Sequence, residues 1–249
     1  MTEQEIRNSL DTAIKILLSD IEASVPVKFT KWNNDHFACQ VHKNANGEQC
    51  EAEILYKEPL EQAKLAHELL HVKTSIILGD NSIMFSVENP CQLFTNFLSL
   101  ENASNIVNVC EHVIFFPDYL DMGYEEEDSF EKPTDLDKSL KELIFLESHG
   151  LKEDGHYSSD KLFLYLSLVF SFLFYPNENR FKREVKRLRK INLPLFTIIK
   201  NLKAACSDLE VIPENRDYIQ EAYREFAEKM NEWMTKAFEG AVFVPQHQQ

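Results

Sequence analysis

Glycine is scarce in this chain, 6 of 249 residues, which excludes a glycine-rich phosphate cradle and a flexible low-complexity linker. No G-x-S-x-G elbow, dinucleotide fingerprint or phosphate loop occurs, so serine acyl hydrolysis and nucleotide chemistry have no support. The five cysteines, Cys39, Cys50, Cys91, Cys110 and Cys206, are odd in number and never spaced C-x-x-C. They read as free thiols and offer neither a disulfide framework nor a thiolate zinc knuckle. The longest uncharged apolar stretch, residues 162–175, falls short of the roughly 20 residues that span a bilayer and reads as a buried helix. Nor does the start of the chain resemble a secretory signal: Glu3, Glu5, Arg7, Asp11 and Lys15 interrupt its apolar residues, and a cytoplasmic protein is expected.

Basic charge is also in deficit. The chain has 26 Lys and Arg against 41 Asp and Glu, a net charge of −15 that repels nucleic acid and anionic membranes. An anionic partner therefore needs a local exception. One segment qualifies, since Arg180, Lys182, Arg183, Lys186, Arg187, Arg189, Lys190, Lys200 and Lys203 are joined by a single acidic residue, Glu184. It reads either as a solvated helix face paired with an acidic loop or as a docking site for an acidic partner or nucleic acid. Residues 74–131 show the opposite bias, with no lysine or arginine and a run of carboxylates from Asp80 to Glu131; such a field favours a divalent cation and a basic peptide substrate. What is plentiful is apolar material, 44% of the chain with 18 Phe, enough for a sizeable core in one large domain or two small ones.

Periodicity predicts an α+β protein. An amphipathic helix is expected over 4–23, then strands over 25–32, 36–42 and 50–56, the last two closed into a hairpin by Asn46-Gly47. A two-residue loop there sets Cys39 opposite Ile54 and Cys50 opposite Lys43. Helices follow over 60–78, ended by Gly79, and over 99–116, stopped by Pro117. After an acidic loop at 124–131, Thr134 and Asp137 suggest a cap for a helix to His149. Further helices are expected over 160–175, 179–190, 195–209 and 213–238. The division this suggests is a metal-site region, 1–131, with a small antiparallel sheet on the central helix, and a helical region, 132–249, packed on it.

Chemistry enters at His67-Glu68-Leu69-Leu70-His71, an H-E-x-x-H sequence inside a predicted helix. Histidines at i and i+4 share one helix face, so both imidazoles reach one zinc ion, with the glutamate beside them to take a proton from an activated water. With 8 His in the chain, about 0.03 such matches are expected by chance. Apolar residues on two other sectors of the helix predict that it is mostly buried and that the His-Glu-His sector faces an interior cleft. The competing reading is two core histidines bonded to carbonyls. A catalytic zinc needs a third protein ligand and an open position. The metzincin extension is absent, because Thr74 and Ile77 stand where its glycine and third histidine belong.

The 99–116 helix is the best source. It carries a stripe of Glu101, Ser104, Asn105, Asn108, Glu111 and His112 with no basic residue, read as the lining of a polar site or as an acidic surface face. Glu111 is the first choice for third ligand, with His112 and Asn108 beside it to bond a carboxylate or stabilise an oxyanion; Glu101 and then His112 are the alternatives. His36 and His42, at even spacing on one strand face, are a weaker metal pair, and His149 and His156 are given no role.

His67-Glu68-x-x-His71 followed forty residues later by Glu111 resembles the zincin metallopeptidases, in particular the gluzincins, and more loosely the ImmA/IrrE-type regulatory metallopeptidases. The resemblance implies a zincin-like fold and a sheet whose edge strand binds extended substrate, an order matched by residues 51–56. It also implies His67, His71 and Glu111 as zinc ligands and Glu68 as general base. Phe115 stands where the commonest gluzincin pattern has an acidic residue four positions after the ligand glutamate. The expected function is hydrolysis of a peptide or protein substrate. A zinc-binding interaction or sensing module without catalysis, and a helical protein with an accidental motif, are the other classes open to this sequence.

Overall fold

A computed structural model describes residues 1–34, 37–79, 85–126, 136–177 and 179–238. The fold is mixed α+β with a small sheet and mostly helices. Its residues gather into two compact units, each assembled from three stretches of chain: 1–81, 110–131 and 206–219 in the first, and 82–109, 132–205 and 220–249 in the second. A single cut after residue 131 assigns Ser82–Val109 to the first part, whereas these residues belong to the second unit.

In the first unit, α1 (Glu3–Ser9) and α2 (Thr12–Glu22) replace the single helix expected over 4–23. Asp11 makes the break, because its side chain accepts from the Ile14 backbone N–H at 2.9 Å and caps a new helix. Strands β1 (Val27–Lys31), β2 (Ala38–Lys43) and β3 (Gln49–Tyr56) form a sheet in the order β1-β3-β2. β3 is antiparallel to β2 and parallel to β1, so the sheet is mixed, not antiparallel as expected. The strand over 51–56 is thus central, and β2 and β1 are the edges.

Cys39 does face Ile54, but the register slips between His42 and Lys43, and Lys43 pairs with Gln49 instead of Cys50. The physical reason is a loop of three residues, 45–47, in place of two. Asn44 N–H donates to the Glu48 carbonyl at 2.8 Å, its Oδ1 accepts from the Asn46 and Glu48 N–H groups, and Gly47 takes φ 81°.

Helix α3 (Gln62–Leu78) packs on β2, β3 and α2 and ends at Gly79, φ 84°. Leu65, Leu69, Leu70 and Val72 are at most 1% exposed, and each contributes about 1.5–3 kcal/mol of apolar burial. After α4 (Gln92–Phe97), α5 (Leu100–Asp121) passes through Pro117, which was expected to stop it. Proline forfeits one helical hydrogen bond, yet continuing the helix buries Tyr119 completely.

The second unit packs α6 (Leu136–His149), α7 (Ser159–Leu173) and α8 (Lys182–Ile191) against one another. It also holds α9 (Leu193–Ser207) up to Ala205 and α10 (Arg216–Phe238) from Gln220, with a two-residue-strand hairpin, β4 (Lys152–Glu153) and β5 (His156–Tyr157), that periodicity missed. Its signal was Asp154-Gly155, both at positive φ. α7 contains most of the 162–175 stretch with Leu162, Tyr165 and Val169 fully buried, and no described helix is long and apolar enough to cross a membrane. The Thr134 cap lies outside the described residues.

Tyr165 ties α7 to α8, its hydroxyl donating to the Leu188 and Asn192 carbonyls at 3.2 and 3.1 Å. Tyr165→Phe removes these bonds without changing shape and is expected to destabilise the second unit by about 1–3 kcal/mol, read as a lower urea midpoint by circular dichroism.

Candidate metal centre

All the residues of this site belong to the first unit. On α3, His67 and His71 lie one turn apart on the same face, each 8% exposed. From α5, His112 brings a third imidazole, and its Nε2 lies 3.0 Å from His71 Nε2. His67 Nε2 lies 3.1 Å from the same atom. Among the described residues these three histidines are the group that could hold a metal ion, with ligand atoms all within 4.8 Å of one another. Two nitrogens bound at 2.0–2.1 Å in tetrahedral geometry sit about 3.3–3.4 Å apart, and the His71–His67 and His71–His112 spacings lie within a few tenths of an ångström of that.

Proton accounting points the same way. His71 Nδ1 is 2.7 Å from Glu111 Oε2, and a carboxylate only accepts, so Nδ1 carries the hydrogen of that bond and Nε2 is left facing the other two histidines. His71 Nε2 thus faces two histidine nitrogens at once. One ring nitrogen makes one good in-plane hydrogen bond, as donor or as acceptor, whereas a cation shared by the three rings takes a lone pair from each. Burial holds His67 well below the ordinary histidine range, with a smaller effect from His71; burial, then His67 and His71, does the same at His112. Both rings are therefore neutral donors of electron pairs near pH 7.

Glu111, expected as the third ligand, is buried at 7% exposure and bonds the opposite edge of His71. His112, expected beside the metal as a catalytic or oxyanion group and only third as ligand, occupies the third corner. The rest of the predicted polar stripe does not join them: Glu101, Ser104, Asn105 and Asn108 are exposed. That part of the stripe is a solvated face, which composition alone did not distinguish from a site lining.

Phe115, fully buried, packs its ring near-perpendicular to His71 at 4.8 Å, His67 at 5.5 Å and His112 at 5.6 Å between centroids. Tyr119, one turn on, reaches His67 at 6.4 Å. An aromatic floor thus stands where the gluzincin pattern has an acid, fixing the rings by packing.

Sequence reasoning missed Cys39. From edge strand β2, which packs on α3, its thiol lies near enough to the half-buried Glu68 for each group to affect the other's proton affinity. Burial raises the Glu68 carboxyl, opposed by His71 and then by the neighbouring Cys39 thiol. Desolvation, then the charges of Glu68 and Glu111, pushes the Cys39 thiol up. Alternation along residues 36–42 put Phe37, Cys39 and Val41 on one face, but pairing that face with Glu68 required the sheet order.

Of the remaining histidines, His42 Nε2 is 3.5 Å from Glu53, His149 Nδ1 bonds the Phe145 carbonyl and His156 is exposed on β5, while His36 and His247 lie outside the described residues. Comparison of the chain with known protein families, with curated proteins and with solved structures gives no match.

His112→Ala is expected to abolish stoichiometric metal binding, whereas Glu111→Ala, which only frees the far edge of His71, should weaken it about 10–100-fold. Competition with a chelator, followed by mass spectrometry of the metal retained, separates the two; equal and complete loss in both variants contradicts this order.

Proposed function

We propose that this chain is a zinc-dependent hydrolase acting on peptide bonds, with His67, His71 and His112 as the protein ligands and Glu68 as general base. The observation that carries the reading is the convergence of three Nε2 atoms next to a carboxylate in an H-E-x-x-H helix. Three neutral imidazoles suit zinc and leave a fourth position open, as catalytic zinc requires. When bound there, the ion supplies a Lewis acid that lowers the pKa of a water molecule toward 7.

The side chains have distinct parts. Glu111 holds His71 in the tautomer that offers Nε2, in place of the ligand role expected for it. Glu68 takes the proton from the attacking water and returns it to the leaving amine; its raised carboxyl pKa suits that double task. Cys39, held protonated by burial, is the neighbour positioned to donate to the Glu68 carboxylate. Phe115 and Tyr119 keep the ligand rings in a dry, packed setting. The first unit holds 9 Lys and Arg against 25 Asp and Glu, which supports a basic peptide as substrate.

Glu68→Gln is the deciding variant. It should bind one zinc per chain and lose cleavage of a mixed, lysine- and arginine-rich peptide library by at least about 100-fold. Retained cleavage removes Glu68 as the base. Zinc bound by the unmodified chain with no cleavage of any library instead favours an interaction or sensing module in which the metal is structural.

A further inference from the structure

The basic stretch noted in the sequence is sorted by the second unit into different environments. Arg187 makes a two-pronged pair with Glu147 of α6 at 2.6 and 2.8 Å, Arg180 lies over the Tyr175 ring, and Lys203 is buried. Lys182, Arg183, Lys186, Arg189 and Lys190 of α8 remain exposed, and among the described residues none of the five has an ion-pair partner. At 100° per residue they share an arc of about 120°. No apolar side chain falls within it: Val185, Leu188 and Ile191 lie on the other side, where Leu188 is fully buried.

This cationic face is held rigidly. Leu188 and the Tyr165 bonds fix the C-terminal half of the helix, the Arg187–Glu147 pair fixes its flank, and Phe181 packs on Phe172 and Tyr175 at its start. The charge around it permits an anionic partner although the whole chain is at −15, because the second unit holds 17 Lys and Arg against 16 Asp and Glu.

We infer that α8 is a docking helix for the phosphate backbone of a nucleic-acid duplex. A protein partner is the poorer fit, since protein interfaces draw affinity from buried aromatic and aliphatic anchors and are depleted in lysine, and this face offers no such anchor. A membrane-surface helix buries its apolar side in lipid, whereas the apolar side of α8 is committed to the protein core. Phosphates require neither: release of their counterions by clustered Lys and Arg supplies the affinity, and an α-helix fits the major groove. Such binding is independent of base sequence and of the metal centre.

The test is fluorescence anisotropy of a labelled DNA duplex of about 20 base pairs titrated with the full chain, at 50 and 200 mM salt. If all five cations meet phosphates, affinity falls about 500-fold between those concentrations. The variant K182Q/K186Q/R189Q, altered only at exposed positions, should bind weakly with that salt dependence reduced to about 12-fold, while Lys229→Gln on α10 leaves binding unchanged. Circular dichroism checks that each variant is folded. No binding at 50 mM salt, undiminished binding by the triple variant, or tighter binding to polyglutamate or to phosphatidylserine vesicles than to the duplex overturns the inference.

Discussion

The geometry of the candidate centre hangs on the bond between His71 and Glu111. At 2.7 Å, with both partners buried, it determines which ring nitrogen carries the hydrogen, and so which nitrogen faces His67 and His112. It also joins α3 to α5 at the level where the second helix must deliver its imidazole. Leucines at positions 65, 69 and 70 seat α3 against its neighbours, and Phe115 and Tyr119 do the same for α5, so the polar contact is held by apolar packing on either side. Three imidazoles meet because two buried helices are locked in one register, and the bond is the pin of that register.

Neighbouring residues on α5 therefore have unlike roles. Glu111 and His112 differ by 100° around the helix, enough for one to reach behind His71 and the other in front of it. A carboxylate behind a histidine ligand raises its basicity and restrains its ring, whereas the same carboxylate on the metal replaces one neutral ligand by a charged one. With three neutral imidazoles, a divalent cation keeps more of its charge for polarising a water than it does with an anionic ligand. The fully buried Phe115 and the protonated Cys39 extend this economy of charge: around the histidines, only Glu68 and Glu111 offer acidic groups in the contacts described.

Charge is divided with similar sharpness along the chain. The carboxylate excess belongs to the first unit, and the second is close to neutral with five exposed cations on α8. A net charge averages over both and predicts the behaviour of neither. Within α8 the cations were visible as composition, but that Arg187 is the one spent on Glu147 depended on a helix forty residues away in sequence.

Local signals carried much of the fold into view. Gly79 and Gly150 ended helices where expected, the hydrophobic periods located α3, α7 and α10, and the H-E-x-x-H spacing alone placed two imidazoles on one face, because i and i+4 are fixed by 3.6 residues per turn. Signals that compete locally were misjudged: Asp11 prevailed over the apolar period of 4–23, and burial of Tyr119 prevailed over Pro117. The amino-acid sequence by itself determined the α+β class, the histidine pair, the glutamate beside it and the cationic stretch. Only tertiary structure decided that β3 is central, that Cys39 lies near Glu68, and that Glu111 and His112 meet opposite ring nitrogens of His71. Those outcomes depend on the rotation of one helix against another and on strand order, which side-chain spacing within a single element leaves undetermined.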